Sequence, residues 1–297
     1  MRSRPTLQWV PGPDVLALEP GTADVAPLAD VVADGKVVVL SGAGISTESG
    51  IPDYRGESGS LRPHTPMTYG DFVASESGRQ RYWARSHLGW RTIARAQPND
   101  GHRAVAALQA RGYLTGVITQ NVDGLHQAAG ARDVIELHGN LDRVICLQCG
   151  TTTAREALDR RLRVANPEFE AEVTRINPDG DAELPEQAVS GFQMVDCTNC
   201  GGVLKPDVVF FGENVPKPRV ERCYRLIDDA ATVLVLGSSL TVMSGFRFVR
   251  HAAKAGKNVL IINQGVTRGD PYAAHRVNLP LGQALTELLK ATGPNHA

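Results

Sequence analysis

Four of the five cysteines in this 297-residue chain are arranged as two C-x-x-C pairs. The first pair is Cys146 and Cys149, the second is Cys197 and Cys200, and a glycine follows each pair. Four thiolates at this spacing can surround Zn²⁺ in the tetrahedral geometry that this ion adopts with sulfur ligands. Because four protein ligands leave no open position, the spacing predicts one structural zinc ion per chain, with a redox pair or unrelated thiols as the alternative. Cys223 lies in a helical pattern and is predicted to be a buried free thiol.

A glycine-rich turn follows the apolar segment 36–40. Its residues 42–46 read Gly-Ala-Gly-Ile-Ser. Glycines directly after a strand let the backbone approach a phosphate, and the amides that follow can donate hydrogen bonds to it. Thr47 stands where the third glycine of the G-x-G-x-x-G fingerprint would be. By itself the turn is therefore compatible with either a dinucleotide site or a simple packing turn.

Three polar clusters stand where short apolar segments end. They are Gln-Asn-Val-Asp at 120–123, Glu-Leu-His-Gly-Asn at 136–140 and Gly-Ser-Ser at 237–239. Ligands of open α/β sheets bind at the carboxyl ends of the strands, so we expect the three clusters to share one crevice. His138, in the second cluster, is either a general base that works near neutral pH or a histidine held by structural hydrogen bonds.

A parallel sheet is needed to bring these clusters together. The chain contains short apolar segments that predict strands at 36–40, 114–119, 134–137, 208–211, 232–236 and 259–262. Helical patterns separate several of them, and strands that alternate with helices predict an α/β fold with a mostly parallel sheet covered on both faces. Residues 57–97 and 141–203 interrupt this alternation, and we interpret both stretches as insertions.

Composition excludes several classes of protein. The net charge of −1 argues against a nucleic-acid-binding protein that depends on bulk positive charge. No segment approaches the roughly 18–20 uncharged apolar residues of a membrane helix, and residues 1–5 lack the apolar core of a secretory signal. We therefore expect a cytoplasmic protein with no nucleic-acid or membrane partner. Disulfides are disfavoured in that compartment, which favours metal binding by the paired cysteines.

The motifs, in this order, resemble those of the sirtuins, a family of NAD-dependent protein-lysine deacylases. The matching segments are 42–46, 50–55, 119–126, 136–140, the two C-x-x-C pairs, 205–213, 237–240 and 262–263. The resemblance covers residues from about 30 to 285. Further details, at 51–55, 79–85, 178–181 and 243–248, resemble the class II branch, which contains a mitochondrial sirtuin with lipoamidase and ADP-ribosyltransferase activity.

The resemblance implies a Rossmann-like NAD-binding domain with a smaller lobe made of a helical insertion and a zinc-binding module. The NAD-binding domain would comprise residues 25–56, 98–140 and 204–297, after an irregular lead-in at 1–24. The helical insertion would be 57–97 and the zinc-binding module 141–203. NAD and an acyl-lysine would enter the cleft between the two parts from opposite sides.

The resemblance also assigns roles to individual residues. His138 would be the catalytic base, and Asn121 and Asp123 would hold nicotinamide and its ribose. The peptide would contact Val209, Phe211, Gly212 and Val242 as an added strand. The residues assigned to NAD are Gly42, Ala43, Gly44, Ile45, Asp53, Tyr54, Arg55, Gln120, Asn121, Val122, Asp123, Gly237, Ser238, Ser239, Asn263, Gln264, Gly265 and Leu281.

The implied function is deacylation of acyl-lysine proteins or peptides by a monomeric enzyme, with release of nicotinamide and O-acyl-ADP-ribose. Mono-ADP-ribosyl transfer or lipoamidase activity on the same scaffold is an alternative, and so are a non-enzymatic NAD sensor and a hydride-transferring dehydrogenase. Several acyl groups are compatible with the sequence, from acetyl to longer acyl, lipoyl and methylglutaryl-type groups. Tyr82 and Arg85 match the Tyr-x-x-Arg motif of desuccinylating sirtuins. Alignment by Trp83, however, places this pair about one helical turn before the position that the motif has in those enzymes. We therefore predict a structural role for the pair.

Overall fold

Strands and helices alternate along the computed structural model, which describes residues 10–54, 66–171, 173 and 175–293. The strands are β1 Val37–Ser41, β2 Leu114–Thr119, β3 Val134–Glu136, β4 Gly139–Cys146, β5 Thr152–Ala154, β6 Arg175–Ile176, β7 Ala182–Glu183, β8 Leu204–Val208, β9 Thr232–Leu236, β10 Asn258–Ile262 and β11 His275–Val277. The α-helices are α1 Pro13–Leu16, α2 Ala26–Ala33, α3 Tyr69–Ala74, α4 Glu76–Arg95, α5 Asp100–Ala110, α6 Leu125–Ala128, α7 Arg155–Ala165, α8 Glu186–Val189, α9 Lys217–Asp229, α10 Met243–Lys254 and α11 Leu281–Ala291. Short 3₁₀ helices cover Ala43–Ser49 and Asp270–Tyr272. None of the helices in the described ranges is long and apolar enough to span a bilayer.

Six strands form one parallel sheet in the order β11-β10-β9-β1-β2-β3. Side chains of β1 alternate between two apolar cores, because successive residues of a strand point to opposite faces. Val37 and Val39 pack with α2, α5 and α11, whereas Val38 and Leu40 pack with α9 and α10. All five residues of β1 are buried. The predicted α/β fold with a parallel sheet covered on both faces is confirmed.

The strand order creates a crevice at one edge of the sheet. From β1 the chain continues to β2 and β3 on one side, and β9, β10 and β11 lie on the other side. At such a switch point the helices that follow neighbouring strands pack on opposite faces, which leaves an opening beyond the carboxyl ends of the strands. The glycine-rich turn and the polar clusters at 120–123 and 237–239 directly follow β1, β2 and β9.

A smaller lobe covers this crevice. Its sheet has three antiparallel strands in the order β5-β4-β8, and helices α3, α4 and α7 pack around it. Aromatic side chains fill its core: Phe72, Tyr82, Trp83 and Phe210 have neighbouring ring centroids between 5.2 and 5.6 Å apart. The edge-to-face arrangement of these rings gives the lobe a core of its own.

The prediction of a strand at 208–211 in the parallel sheet is wrong, both in its residues and in its sheet. The strand is β8, Leu204–Val208, and it pairs antiparallel with β4 in the small lobe. The pairing continues one residue beyond β8, because the amide of Val209 donates to the carbonyl of His138 at 2.8 Å. It ends at Phe210, whose amide donates to the Glu213 carboxylate at 2.8 Å. The small lobe therefore includes β8 and all of β4, although the sequence places residues 139–140 and 204–208 in the NAD-binding domain.

Candidate active site

A cavity of about 600 Å³ lies between the carboxyl edge of the parallel sheet and the small lobe. The sheet side contributes the glycine-rich turn, the cluster at 120–123 and the segment 237–244. The small lobe contributes Tyr82 and residues 178–179, and segment 208–213 runs along the wall between the two parts. All three polar clusters contribute to this one cavity, as the sequence predicts.

The glycines of the turn are required by backbone packing. A Cβ on Gly44 would lie 2.8 Å from the Cα of Gly237, and a Cβ on Gly237 would lie 2.6 Å from the amide nitrogen of Ile45. Gly237 also has a φ of +57°, a conformation that side chains disfavour. The turns after β1 and β9 therefore pack backbone to backbone. The turn is therefore a packing turn that also lines the cavity, and dinucleotide binding at it stays a prediction.

Asn121 and Asp123 are held together by Ser46. The Ser46 hydroxyl donates to the Asp123 carboxylate at 2.7 Å and accepts from the Asn121 side-chain amide at 3.0 Å. The amide of Leu125 donates to the other Asp123 oxygen at 3.0 Å. Burial raises the pKa of Asp123 despite these bonds. Ser46 is missing from the predicted site residues, although the glycine-turn motif that contains it is the signal that could have identified it.

His138 has a defined tautomer in the cavity wall. Its Nδ1 lies 2.9 Å from the carbonyl oxygen of Gln120, which can only accept, so Nδ1 carries the ring proton. Nε2 then holds the lone pair and lies 2.8 Å from the hydroxyl of Ser244. Burial lowers the pKa of His138 to about 4, and the charges of Arg219 and Arg247 act in the same direction. The imidazole is therefore neutral near pH 7 and able to accept a proton at Nε2.

The structure places nearly all of the predicted site residues in this cavity. Those assigned to the peptide all line it, and so do those assigned to NAD except Ile45, Leu281 and Arg55. Arg55 lies outside the described residues. The side chains of Ile45 and Leu281 are buried in the core between the sheet and its helices, so these two residues do not line the cavity with their side chains. For the others, binding stays a prediction.

Small-lobe residues that the sequence analysis does not assign to the site also line the cavity. Tyr82, Asp179 and Asp181 form part of its wall, and Asp181 is only 5% exposed. The Nε atom of Arg85 lies 2.9 Å from a carboxylate oxygen of Asp181, and it donates to the carbonyl of Ala182 at 2.7 Å. Burial, followed by the charge of Asp179, raises the pKa of Asp181 to about 7. Arg85 therefore has a carboxylate partner within the protein, in agreement with its predicted structural role.

The two cysteine pairs converge at one point of the small lobe. Their four Sγ atoms all lie within 4.8 Å of one another, with 3.5 Å between Cys146 and Cys200 and 3.8 Å between Cys149 and Cys197. A tetrahedral zinc site with Zn–S bonds of about 2.3 Å has sulfur–sulfur edges of about 3.8 Å. The glycine after each pair has a φ near +70°, which completes the tight turn. The donor set therefore fits a structural zinc ion.

The fold and the site together define the class of protein. It is a Rossmann-like α/β protein with a second lobe that contains a cysteine cluster fit for zinc. A cleft large enough for a nucleotide lies between the two parts, and a neutral histidine lies in its wall. The chain belongs to the Sir2 family, whose sequence model matches residues 42–244.

Relatives of known name are similar over almost the whole chain. NAD-dependent protein deacetylase 1 of Streptomyces coelicolor (strain ATCC BAA-471 / A3(2) / M145) is 64% identical over 293 residues, which cover 99% of this chain and 97% of that protein. NAD-dependent protein deacetylase 1 of Mycobacterium avium (strain 104) is 51% identical, covering 92% of this chain and 98% of that protein. A solved structure described as "Sir2-p53 peptide-NAD+" has a TM-score of 0.73 and 29% identity, covering 91% of this chain and 99% of that one.

Proposed function

We infer that this chain is an NAD-dependent protein-lysine deacylase that consumes NAD as a co-substrate. The observation that carries this function is the neutral His138, whose base nitrogen lies in one cavity with the glycine-rich turn and with Asn121 and Asp123. The names of the Streptomyces and Mycobacterium relatives support the same activity. A structural zinc ion held by the four cysteines would stabilise the small lobe.

The reaction proceeds in two stages in this cavity. The carbonyl oxygen of the acyl-lysine attacks the anomeric carbon of the nicotinamide ribose, and the bond to nicotinamide breaks. Asn121 and Asp123 hold nicotinamide and its ribose during this stage. His138 then accepts the proton of a ribose hydroxyl at Nε2, and that oxygen attacks the carbon of the former acyl carbonyl. The lysine nitrogen takes up a proton and leaves as the free amine, and water adds to the cyclic cation that remains. Loss of a proton from the added water then gives O-acyl-ADP-ribose.

The peptide substrate binds along segment 209–212 as an added strand. Its backbone hydrogen bonds carry little sequence information, so weak peptide specificity follows. Glu213 stabilises this segment: its carboxylate accepts from the amide of Phe210 and lies 3.0 Å from Nζ of Lys205. Lys205 is itself 3% exposed and is held against the Phe210 ring at 4.6 Å. The binding segment is therefore stabilised by an ion pair between the buried Lys205 and the half-buried Glu213.

Activity should persist well below the ordinary pKa of histidine. His138 acts as a base only when neutral, and burial lowers its pKa from 6.5 to about 4. The fraction in the active form is therefore nearly complete at pH 6, and loss from His138 protonation begins only below about pH 5. The measurement is kcat/KM for NAD between pH 4.5 and 8 with an acetyl-lysine peptide. An acid limb centred near pH 6.5 would contradict the assignment.

The acyl group should be neutral. At pH 8.5, above the pKa of about 7 for Asp181, a succinyl carboxylate at this wall would face the charged Asp179 and Asp181, and Arg85 is already paired with Asp181. Like charges brought together in a cleft are strongly unfavourable, so we expect kcat/KM for a succinyl peptide about tenfold or more below that for an acetyl peptide. Asp181→Asn removes one of the two carboxylates and releases Arg85. It should raise the succinyl-to-acetyl ratio, and equal use of both peptides by the wild type would disprove this specificity.

A panel of acyl peptides incubated with NAD and analysed by mass spectrometry tests the function. Nicotinamide and O-acyl-ADP-ribose in equal amounts support deacylation. Label from the NAD adenylate on a protein, without O-acyl-ADP-ribose, would indicate mono-ADP-ribosyl transfer. Turnover of lipoyl peptides would support the class II assignment, which rests on the sequence motifs, and formation of NADH would indicate a dehydrogenase. NAD binding without nicotinamide release on any peptide would favour a sensor.

We propose a cytoplasmic location and a monomeric state for this enzyme. Two C-x-x-C pairs that bind zinc require thiols that are kept reduced, as they are in the cytoplasm. His138, Asn121 and Asp123, which the proposed mechanism uses, lie together in one cavity of a single copy, which is what a monomeric enzyme requires.

A further inference from the structure

We propose that Ser244 is a positioning residue for His138: its hydroxyl holds the base nitrogen in the free protein and gives way to a ribose hydroxyl when NAD binds. The inference rests on the proposed deacylase function, because that function makes Nε2 of His138 the atom that accepts the ribose proton. It goes beyond that function in one respect: the Ser244 hydroxyl leaves this nitrogen and the ribose hydroxyl takes its place.

The direction of the hydrogen bond follows from the partners of the imidazole. The Gln120 carbonyl, 2.9 Å from Nδ1, fixes the proton on that nitrogen. Nε2 can then only accept, so the Ser244 hydroxyl, 2.8 Å away, must donate its proton. The lone pair needed for catalysis is therefore occupied by a protein hydroxyl in the free protein.

The start of α10 is built to bring Ser244 to this place. Ser244 is the second residue of the helix, and no side chain caps its amino end. Gly245 follows, and a Cβ at this position would collide with the side-chain oxygen of Gln120. Glycine thus lets the helix approach Gln120, the same residue whose carbonyl orients His138. One residue of the sheet edge therefore aligns the imidazole with both of its partners.

The Ser244 hydroxyl has two opposite effects on His138. A donor to Nε2 stabilises the neutral imidazole and keeps the ring aimed along the line of proton transfer. The same donor competes with the ribose hydroxyl for the one lone pair. The other groups that act on this imidazole are Arg219 of α9 and Arg247 of α10, which favour the neutral form, and the Gln120 carbonyl, which favours the protonated form. Ser244 thus affects the pKa and orientation of His138 in the free protein and not in the complex with NAD.

Titration of the His138 ring by nitrogen NMR in the free protein tests this arrangement without any need for turnover. Signals are assigned by their loss in His138→Ala. Removal of the donor in Ser244→Ala should raise the pKa of His138 by about 0.5 to 1 unit, and Ser244→Thr, which retains a hydroxyl, should restore the wild-type value. Ser77→Ala is the matched control, because Ser77 is the exposed second residue of α4. An unchanged pKa in Ser244→Ala overturns the proposal.

Kinetics then test the exchange of hydroxyls. In Ser244→Ala the acid limb of kcat/KM for NAD, which reports the free enzyme, should move up by the same amount. The acid limb of kcat should stay in place and kcat should change less than about twofold. A fall in kcat of more than tenfold, or an equal shift of both limbs, would show that Ser244 remains on His138 in the complex and would overturn the proposal. Inactivity of the wild type with every peptide would contradict the proposed function instead, and the NMR titration would still decide the hydrogen bond.

Discussion

His138→Ala should lower kcat for deacylation by about 10²–10⁴-fold, the range typical for removal of a general base. The methyl group of alanine offers no acceptor for the ribose proton, so the second stage of the reaction loses its base. The fold should survive, because the two bonds of the imidazole are to one carbonyl and one hydroxyl at the edge of the cavity. Both of these groups can be solvated once the ring is gone.

Three measurements on this variant separate catalysis from structure. Deacylation is followed by mass spectrometry of the peptide, NAD binding by calorimetry and folding by thermal unfolding. Attack on the anomeric carbon precedes the step that needs the base, so NAD binding and nicotinamide exchange should be retained. His275→Ala is a control, since His275 is exposed on the edge strand β11. Full turnover by His138→Ala would show that His138 is not the base.

The second large effect is expected at the cysteine cluster. Cys146→Ser should yield protein without zinc that is insoluble or unfolded. Cys146 is 1% exposed at the end of β4, and the four sulfurs join this strand to the loop before β8. Structural zinc sites contribute on the order of 10 kcal/mol of binding free energy, which is comparable to the whole stability of a domain. Loss of one of four ligands therefore removes support that the aromatic core of the small lobe cannot replace.

Zinc content and thermal stability decide this prediction. Emission spectrometry should find about one zinc ion per chain in the wild type and almost none in Cys146→Ser. Cys200→Ser should behave in the same way, although Cys200 is exposed, because ligand number and not burial matters. Cys223→Ala should keep its zinc, since Cys223 lies on the buried face of α9, in a different core from the cysteine cluster. A stable, active, metal-free Cys146→Ser protein would refute the structural role.

The amino-acid sequence alone determined the central strands, the cysteine cluster and the polar clusters of this protein, because each depends on local chemistry. A central strand that is buried on both faces must be apolar along its whole length, so β1, β2, β9 and β10 are visible as short apolar segments. The zinc ligands are visible because coordination requires four thiolates at turn spacing. The polar clusters are visible because ligand-binding side chains must follow the strands at one edge of a parallel sheet. Each of these requirements acts within a few residues of chain.

Tertiary structure decided what depends on contacts between distant segments. Residues 208–211 have the composition of a buried strand, yet the Phe210 amide donates to the Glu213 carboxylate instead of a neighbouring strand, and the strand before it belongs to the small lobe. Ile45 belongs to a motif that lines the cavity, but its side chain points into the core. Ser244 and Asp181 come to the cavity from α10 and from the small lobe, more than forty residues from His138 along the chain. The motifs that contain these residues do not show that they meet His138, because only the packing of the sheet edge against the second lobe brings them together.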